Sequence, residues 1–409
     1  MRSGVTREEC VALDQADPLA SYRGEFVVED ESLIYLDGNS LGRLPRATVD
    51  RVGQVLDAEW GHGLIRSWAS TWVEMPTRLG DLIGTGLLGA DPGEVVVADN
   101  TTVSLYKAVS AALDSCPERS TVVIESANFP TDRYVVESLA RQRSLDVRWV
   151  PETGPEPLGA DDLAPHLDDS VAVVVLSHVD YRSAALLDMP VLTALARGVG
   201  ALTVWDLCHS VGAVPIDVHA AGVDLAVGCT YKYLNGGPGA PAFTYVSAAR
   251  RRELAQPIWG WWGGVDMFDM AEGYSPQADI RSWLTGTPGV LSLAAVEPGV
   301  EMVVRAGISA IRQKSVALTG LAVELYDAWL AAEGVTLSSP RDPDRRGSHV
   351  TLSHRDAKAI AAELADAGVL PDFRRPCGIR LGMSALSTRF VDVYDGLAAL
   401  RNAVTATRR

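Results

Sequence analysis

From residue 90 to about 250 the chain alternates short apolar runs with amphipathic stretches. EVVVA (94–98), TVVIE (121–125), VRWV (147–150), VAVVVLS (171–177), ALTVWD (201–206), DLAVGC (224–229) and AFTYV (242–246) read as strands. TVSLYKAVSAAL (102–113), TDRYVVESLARQ (131–142) and VLTALARGVG (191–200) read as helices between them. Strands that are apolar throughout and rich in β-branched residues are buried on both faces. The alternation therefore predicts an α/β fold with a mostly parallel sheet covered by helices. Two long helical stretches follow, at about 289–306 and 309–333. From about 335 to 409, SHVTLSH (348–354) and DAKAIAAELADAG (356–368) predict a small α/β domain. Ahead of the sheet lies an arm with turns at DGNSLGRLP (37–45) and one amphipathic helix over 46–60. The expected division is an arm over 1–60 that contributes to the small domain and the active site, a large domain over 61–305 and a small domain over 306–409.

Composition narrows the function classes. The chain has 409 residues, 47% hydrophobic and 22% charged, within the ordinary range for a globular protein. Its 36 basic and 52 acidic residues leave a net charge of −16, which repels nucleic acid. No apolar stretch approaches the roughly 20 residues a bilayer span needs, so no membrane partner is expected. The first residues, MRSGVTREEC, are charged and lack a signal-type apolar core. Cysteines 10, 116, 208, 229 and 377 are odd in number, with no C-x-x-C pair. That usage predicts a reduced, cytoplasmic protein with no disulfide framework and no metal site.

Ligands of open α/β sheets bind at the carboxyl ends of the strands. Three signals fall there. In DNTTVSLYK (99–107), Thr101 and Thr102 open a helix, where they either cap it or hold a phosphate. Asp206 ends an apolar strand as a cap or a ligand partner, and His209 lies three residues on. GCTYKYLNGGPGAP (228–241) sets Lys232 between two tyrosines, after a strand and before a Gly/Pro-rich loop. A lysine following a buried run is not a solubility residue, and a desolvated lysine amine can form a Schiff base. A strand-end acid, a lysine 26 residues on and hydroxyls at an earlier helix start form the pyridoxal-phosphate arrangement.

Longer segments carry a resemblance. YLDGNSLGRLP (35–45), WGHGLIRSW (60–68), NFPTDRY (128–134), LSHVDYRS (176–183), WDLCHSVGAVP (205–215), GWWGG (260–264) and LTGTPGVLSL (284–293) join the lysine segment. RRGSHVTLSH (345–354) and IRLGMSALSTRF (379–390) extend them. Together they resemble the kynureninases, fold-type-I pyridoxal-phosphate enzymes, over nearly the whole chain. The resemblance implies pyridoxal 5'-phosphate as cofactor, with Lys232 as its Schiff-base lysine, Asp206 at the pyridinium nitrogen and His209 beside it. It implies Phe129 stacked on the ring with Asp132 nearby, Ser177 lining the site, and Thr101, Thr102 and Tyr231 on the phosphate. Trp261 and Thr287 would reach the phosphate from a partner subunit, in a homodimer with shared active sites. Ser40, His62 and Arg380 would face the substrate, Arg380 on its α-carboxylate. Tyr231 is a candidate proton relay. The implied reaction is hydrolysis of the Cβ–Cγ bond of L-kynurenine, or a ring-substituted kynurenine such as 3-hydroxykynurenine, to an anthranilate and L-alanine. Such an enzyme serves tryptophan catabolism, the kynurenine pathway and NAD biosynthesis.

Four positions depart from the family pattern: Ala184 stands for Gly, Gly264 for a larger polar residue, Ala385 for Pro and Ser387 for Tyr. They fall in loops expected to shape the substrate pocket. The alternative is another reaction on the same scaffold, a C–S lyase or a desulfurase. A desulfurase needs a mobile loop cysteine, and Cys377 in RRPCGIR is the candidate. A cofactor-binding regulator would carry a fused DNA-binding segment, for which this acidic chain has no room.

Overall fold

A computed structural model describes residues 5–269 and 272–407. Its centre is a seven-stranded sheet. In spatial order the strands are Val95–Ala98, Ala242–Val246, Leu225–Cys229, Leu202–Asp206, Val171–Ser177, Thr121–Glu125 and Asp146–Val150. Only Ala242–Val246 runs antiparallel to its neighbours. The central strands are buried from end to end, as their unbroken Val and Leu content requires. Helices Thr101–Ser115 and Pro130–Arg143 pack against one apolar face of this sheet. The other face packs against Met75–Ile83, Met189–Gly198 and Val290–Ala306. The expected strands and helices thus recur within a residue or two.

The helix expected over 46–60 changes character partway. It is α-helical over Arg46–Gln54 and continues over Val55–Gly63 with the wider i→i+5 pattern, which rotates Trp60 and His62 to the surface. A long helix, Ile308–Trp329, leads to a four-stranded antiparallel sheet. Its order is Asp372–Arg374, Gly378–Gly382, His349–Ser353 and Thr336–Leu337. A separate hydrophobic core gathers residues from Leu318 to Val404, and Cys10 and Leu36 of the arm join it. The arm also pairs Ile34–Tyr35 with Val369–Leu370. Inside the arm, Asp17 binds the buried Lys314 amine at 2.7 Å.

Strand register sets the functional end of the large sheet. Ser177 lies opposite Asp206, so those two strands finish level, and Asp206 lies opposite Val227, so the strand Leu225–Cys229 runs two residues further toward Lys232. The arm closes over this end. Gly42 N donates to the Tyr231 carbonyl at 2.8 Å. A Cβ at Gly42 would stand 2.3 Å from the Lys232 carbonyl oxygen, so only glycine permits this approach.

Candidate active site

Of the four lysines in the chain, two are buried and already tied to acids. Lys107 binds Asp99 at 3.0 Å and also donates to the Trp283 carbonyl. Lys314 binds Asp17. Half-buried Lys232 has no such carboxylate. Its Nζ lies 3.0 Å from His209 Nε2 and 5.8 Å from the centre of the Tyr231 ring. Burial, then the positive charges of Lys232 and Arg380, hold the His209 imidazole well below its ordinary pKa. A neutral ring with Nε2 facing an amine accepts the amine's hydrogen bond, which leaves the amine free to work rather than locked in an ion pair.

Two carboxyls meet beneath this pair. Asp132, in the first turn of the helix Pro130–Arg143, faces Asp206 at its strand end. Burial, then the Asp206 charge, raise Asp132 well above the usual carboxylate range. A protonated Asp132 donates to Asp206, the arrangement two buried acids adopt when they share a proton. Asp206 Oδ1 also accepts from Cys208 N at 2.7 Å. Glu125, at the neighbouring strand end, is pushed up to about 8, mainly by burial and by the charge of Asp180. It accepts from Ser177 N at 3.3 Å.

The helix start expected to carry an anion is preserved, with a different cap. Asn100, not either threonine, caps the helix Thr101–Ser115, its side chain accepting from Val103 N at 3.1 Å. Thr101 and Thr102 are the first two helical residues, so their N–H groups lie at the positive end of the dipole. Thr101 Oγ1 lies 3.7 Å from Cys208 Sγ, which ties the helix start to the Asp206 loop. Phe129 precedes the helix carrying Asp132, and its ring meets Tyr181 edge-on at 5.1 Å.

The substrate side is built by the small sheet and the arm. Arg380 is 1% exposed. Its Nε donates to Asp372 Oδ2 at 2.6 Å, its Nη2 to Ser40 Oγ at 3.0 Å, and its Nη1 to the Tyr181 carbonyl. Ser40 and Arg380 are thus brought together across 340 residues of sequence. Gly382, two residues on, has no room for a side chain: its Cβ would lie 1.8 Å from Asn39 Oδ1. Buried polar atoms without protein partners collect around these elements: Asp132 Oδ2, Asn128 Nδ2, His209 Nδ1, both side-chain atoms of Asn39 and both ring nitrogens of His349. Buried groups left unpaired are costly, so a polar ligand is the economical explanation of the set. The strand-end acids, the free lysine and the helix start fit a phosphorylated pyridine aldehyde.

Three expected residues lie elsewhere on the surface. The His62 side chain is 78% exposed, with Nδ1 2.8 Å from the Asp57 carbonyl oxygen. Trp261 and Thr287 are exposed as well. Trp261 packs edge-on with Trp262 at 5.0 Å. Among the departures, Ala184 adopts φ +66°, the left-handed region that favours glycine. Ala385 joins the main core. Ser387 is buried, its carbonyl accepting from Arg23 Nη1, and Gly264 is partly exposed, its carbonyl accepting from Gln277 Nε2 at 2.8 Å. Cys377 lines a cavity of about 330 Å³ between the loop Pro151–Leu158 and the turn Arg374–Gly378, apart from the Lys232 cluster. Sequence reasoning missed Asp372, Glu125, Asn39 and His349. Glu125, Asn39 and His349 stand in segments that attracted notice for other residues, Asp372 lies between two such segments, and only His349 in SHVTLSH offered a hint, a histidine opening an apolar strand.

Comparison with known proteins places this geometry. The family model of the kynureninase C-terminal domain matches residues 311–400. The kynureninase of Pseudomonas fluorescens is 45% identical over 402 residues, covering 97% of this chain and 94% of that protein. The kynureninase of Burkholderia pseudomallei (strain K96243) is 43% identical over 404 residues, covering 97% and 95%. Among solved structures, the apo cysteine desulfurase of Thermococcus onnurineus NA1 superposes with a TM-score of 0.80 at 18% identity, covering 94% of this chain and 98% of that one. A C-DES mutant with glycine covalently linked to its PLP cofactor gives 0.79 at 16% identity, covering 93% and 99%. At such identities the two structures establish the shared fold.

Proposed function

We propose the activity of this chain from the premise that it belongs to the kynureninase family: it hydrolyses the Cβ–Cγ bond of L-kynurenine, giving anthranilate and L-alanine, with pyridoxal phosphate as cofactor. The observation that carries this reading is the free Lys232 amine on neutral His209, above the Asp132–Asp206 pair. Bound pyridoxal phosphate supplies the electron sink that no side chain provides, withdrawing charge from the substrate Cα.

The side chains do the rest. Asp206 would hold the pyridine nitrogen, and the proton on Asp132 would steady Asp206 in turn. Phe129 would lie against the ring, with Ser177 and His209 lining it. Thr101, Thr102 and Tyr231 would hold the phosphate at the helix start. Lys232 Nζ takes the proton from Cα and returns it nearby, with His209 Nε2 keeping the amine in place. The Tyr231 hydroxyl, raised above its ordinary pKa first by burial, is a proton donor rather than a base at neutral pH. Arg380 and Ser40 anchor the α-carboxylate. Water adds to the γ-carbonyl, the Cβ–Cγ bond breaks as that carbon becomes the carboxyl of anthranilate, and Cβ keeps the electron pair and takes up a proton to leave L-alanine.

We infer a homodimer in which His62, Trp261 and Thr287 serve the partner's site. Exposed apolar side chains support it: Trp60, Leu64 and Ile65 in one segment, and Trp259, Val265 and Phe268 in another. Exposed apolar side chains of this size are the kind an interface covers. The arm over 1–60 works with the small domain from 306 on, as Cys10 and Leu36 in its core support. The desulfurase reading is weakened because Cys377 lines a cavity that Lys232 does not line. Among the described residues no helix is long and apolar enough to cross a membrane. The cytoplasm remains our proposed location.

Turnover of L-kynurenine, 3-hydroxykynurenine and L-cysteine by the cofactor-loaded protein tests the reading. Anthranilate and L-alanine in equal amounts from L-kynurenine are expected. Sulfide from L-cysteine with no anthranilate would overturn it. The ratio of kcat/KM for the two kynurenines decides whether a ring substituent is accepted.

A further inference from the structure

His349 is the first residue of the strand His349–Ser353, opposite Gly382 in the antiparallel ladder. Its side chain is fully buried, and neither ring nitrogen has a protein partner. The carbonyl oxygens of Tyr181 and Arg182 face the ring without forming a well-aligned hydrogen bond to it, and each already accepts one hydrogen bond from elsewhere. Tyr181 O accepts from Arg380 Nη1, and Arg182 O from Thr351 Oγ1. The His349 ring stands 5.6 Å from the His209 ring, tilted by 55°, and His209 carries the Lys232 amine. Arg380 stands on the same face of the ladder, opposite Thr351. Burial, then the charges of Arg380 and Lys232, keep the imidazole well below its ordinary pKa. It is therefore neutral, with one N–H to give and one lone pair to receive.

This position shares a sheet face with Arg380, at the carboxylate, and is one ring removed from Lys232, at Cα. A buried imidazole with two unmet nitrogens costs stability in the free protein, and apolar replacement of such a group is often neutral or stabilising. A ligand that meets these nitrogens would offset that cost.

We propose that His349 binds the substrate, donating a hydrogen bond to its α-carboxylate beside Arg380. This assignment rests on the proposed function for the identity of the substrate, but it requires only an α-amino acid. A neutral donor beside a guanidinium adds direction without adding charge, and a hydrogen bond to a carboxylate is among the stronger kinds.

The sign of two measurements separates binding from a structural role. In the cofactor-loaded enzyme, His349→Leu should weaken L-alanine binding, followed by absorption titration, by about 10-fold or more. The KM for L-kynurenine should rise in step. The Tm of the same variant without cofactor should hold or increase, and its affinity for pyridoxal phosphate should stay within about twofold. His349→Gln, which keeps a donor and an acceptor, should recover most of the lost L-alanine affinity. A His349→Leu protein that melts several degrees lower makes His349 a structural residue and overturns the proposal. So does L-alanine affinity within twofold of wild type. Failure of the wild type to cleave L-kynurenine would remove the proposed reaction, while the L-alanine titration would still decide the role of His349.

Discussion

Asp372 Oδ2 accepts from Arg380 Nε at 2.6 Å and from Arg374 Nε at 2.7 Å, so one carboxylate oxygen holds two guanidinium groups. The pair fixes the plane of Arg380, whose remaining nitrogens reach Ser40 and the Tyr181 carbonyl. Arg380→Lys keeps the charge but loses the fork, and kcat/KM for L-kynurenine should fall by roughly 10²-fold. Asp372→Asn keeps an acceptor and loses the ion pair, so KM should rise more than kcat falls. Steady-state kinetics on both variants checks this, and near-normal constants for Arg380→Lys would point to another carboxylate anchor.

The lysines separate by partner, and their alanine variants should separate too. Lys232→Ala should fold, lose the visible band formed on adding pyridoxal phosphate, and lose turnover. Borohydride treatment of the loaded wild type should place the pyridoxyl label on Lys232, read by peptide mass. Lys107→Ala leaves Asp99 without its 3.0 Å partner and should destabilise the fold by about 3 kcal/mol, the scale of a broken buried pair.

Ala184 occupies a left-handed backbone position where its relatives are expected to carry glycine. The strain on a non-glycine residue there is about 1–2 kcal/mol. Against it stand a lost buried methyl, about 0.8 kcal/mol, and the added freedom of the unfolded chain. Ala184→Gly should thus leave Tm unchanged or slightly higher. Ala196, equally buried but inside the helix Met189–Gly198, gives the contrast: Ala196→Gly should cost about 1–2 kcal/mol. Thermal melts of the two variants side by side decide it.

Glu125 titrates at about 8 in the folded protein, raised from its ordinary range mainly by burial. Between the unfolded value and 8 the native state binds the extra proton, so stability must fall as pH rises through this window. The contribution is complete below about 4.5 and gone above about 8. Glu125→Gln removes the titration. Its Tm should decline less than that of the wild type between pH 5 and pH 8.5, and parallel declines would assign the slope to other groups.

Shared sites predict complementation. Mixing Lys232→Ala subunits with Trp261→Ala subunits should restore part of the activity, since one site in each mixed dimer receives both intact residues. Well-exchanged mixtures that stay inactive, or a fully active monomer, would refute the shared site.

Much of this was legible in the sequence, for physical reasons. Burial on both faces writes a strand such as VAVVVLS as an unbroken apolar run, and the chemistry then falls at the run's end, as at Asp206 and Lys232. The helix start at Thr101 was legible as a place, but not its cap, because Asn100 sits one residue outside the periodic segment. The widening of the helix after Gln54 leaves no mark, since both helical forms tolerate the same residues. Asp372 and His349 were hidden for another reason. Their meaning comes from Arg380, Tyr181 and His209, which fold against them from other elements, and no local period records such meetings.

The contact between Ser40 and Arg380 also governs when the site can exist. During synthesis Ser40 emerges 340 residues ahead of Arg380, so all of that length is made before the two can touch. The large sheet, complete by Val246, can form earlier and present Asp206 and Lys232 with one wall missing. A nascent or truncated chain would then be able to take up cofactor before it can grip an amino acid. Competence for the cofactor and competence for the substrate are acquired in that order, at separate moments in the life of the polypeptide.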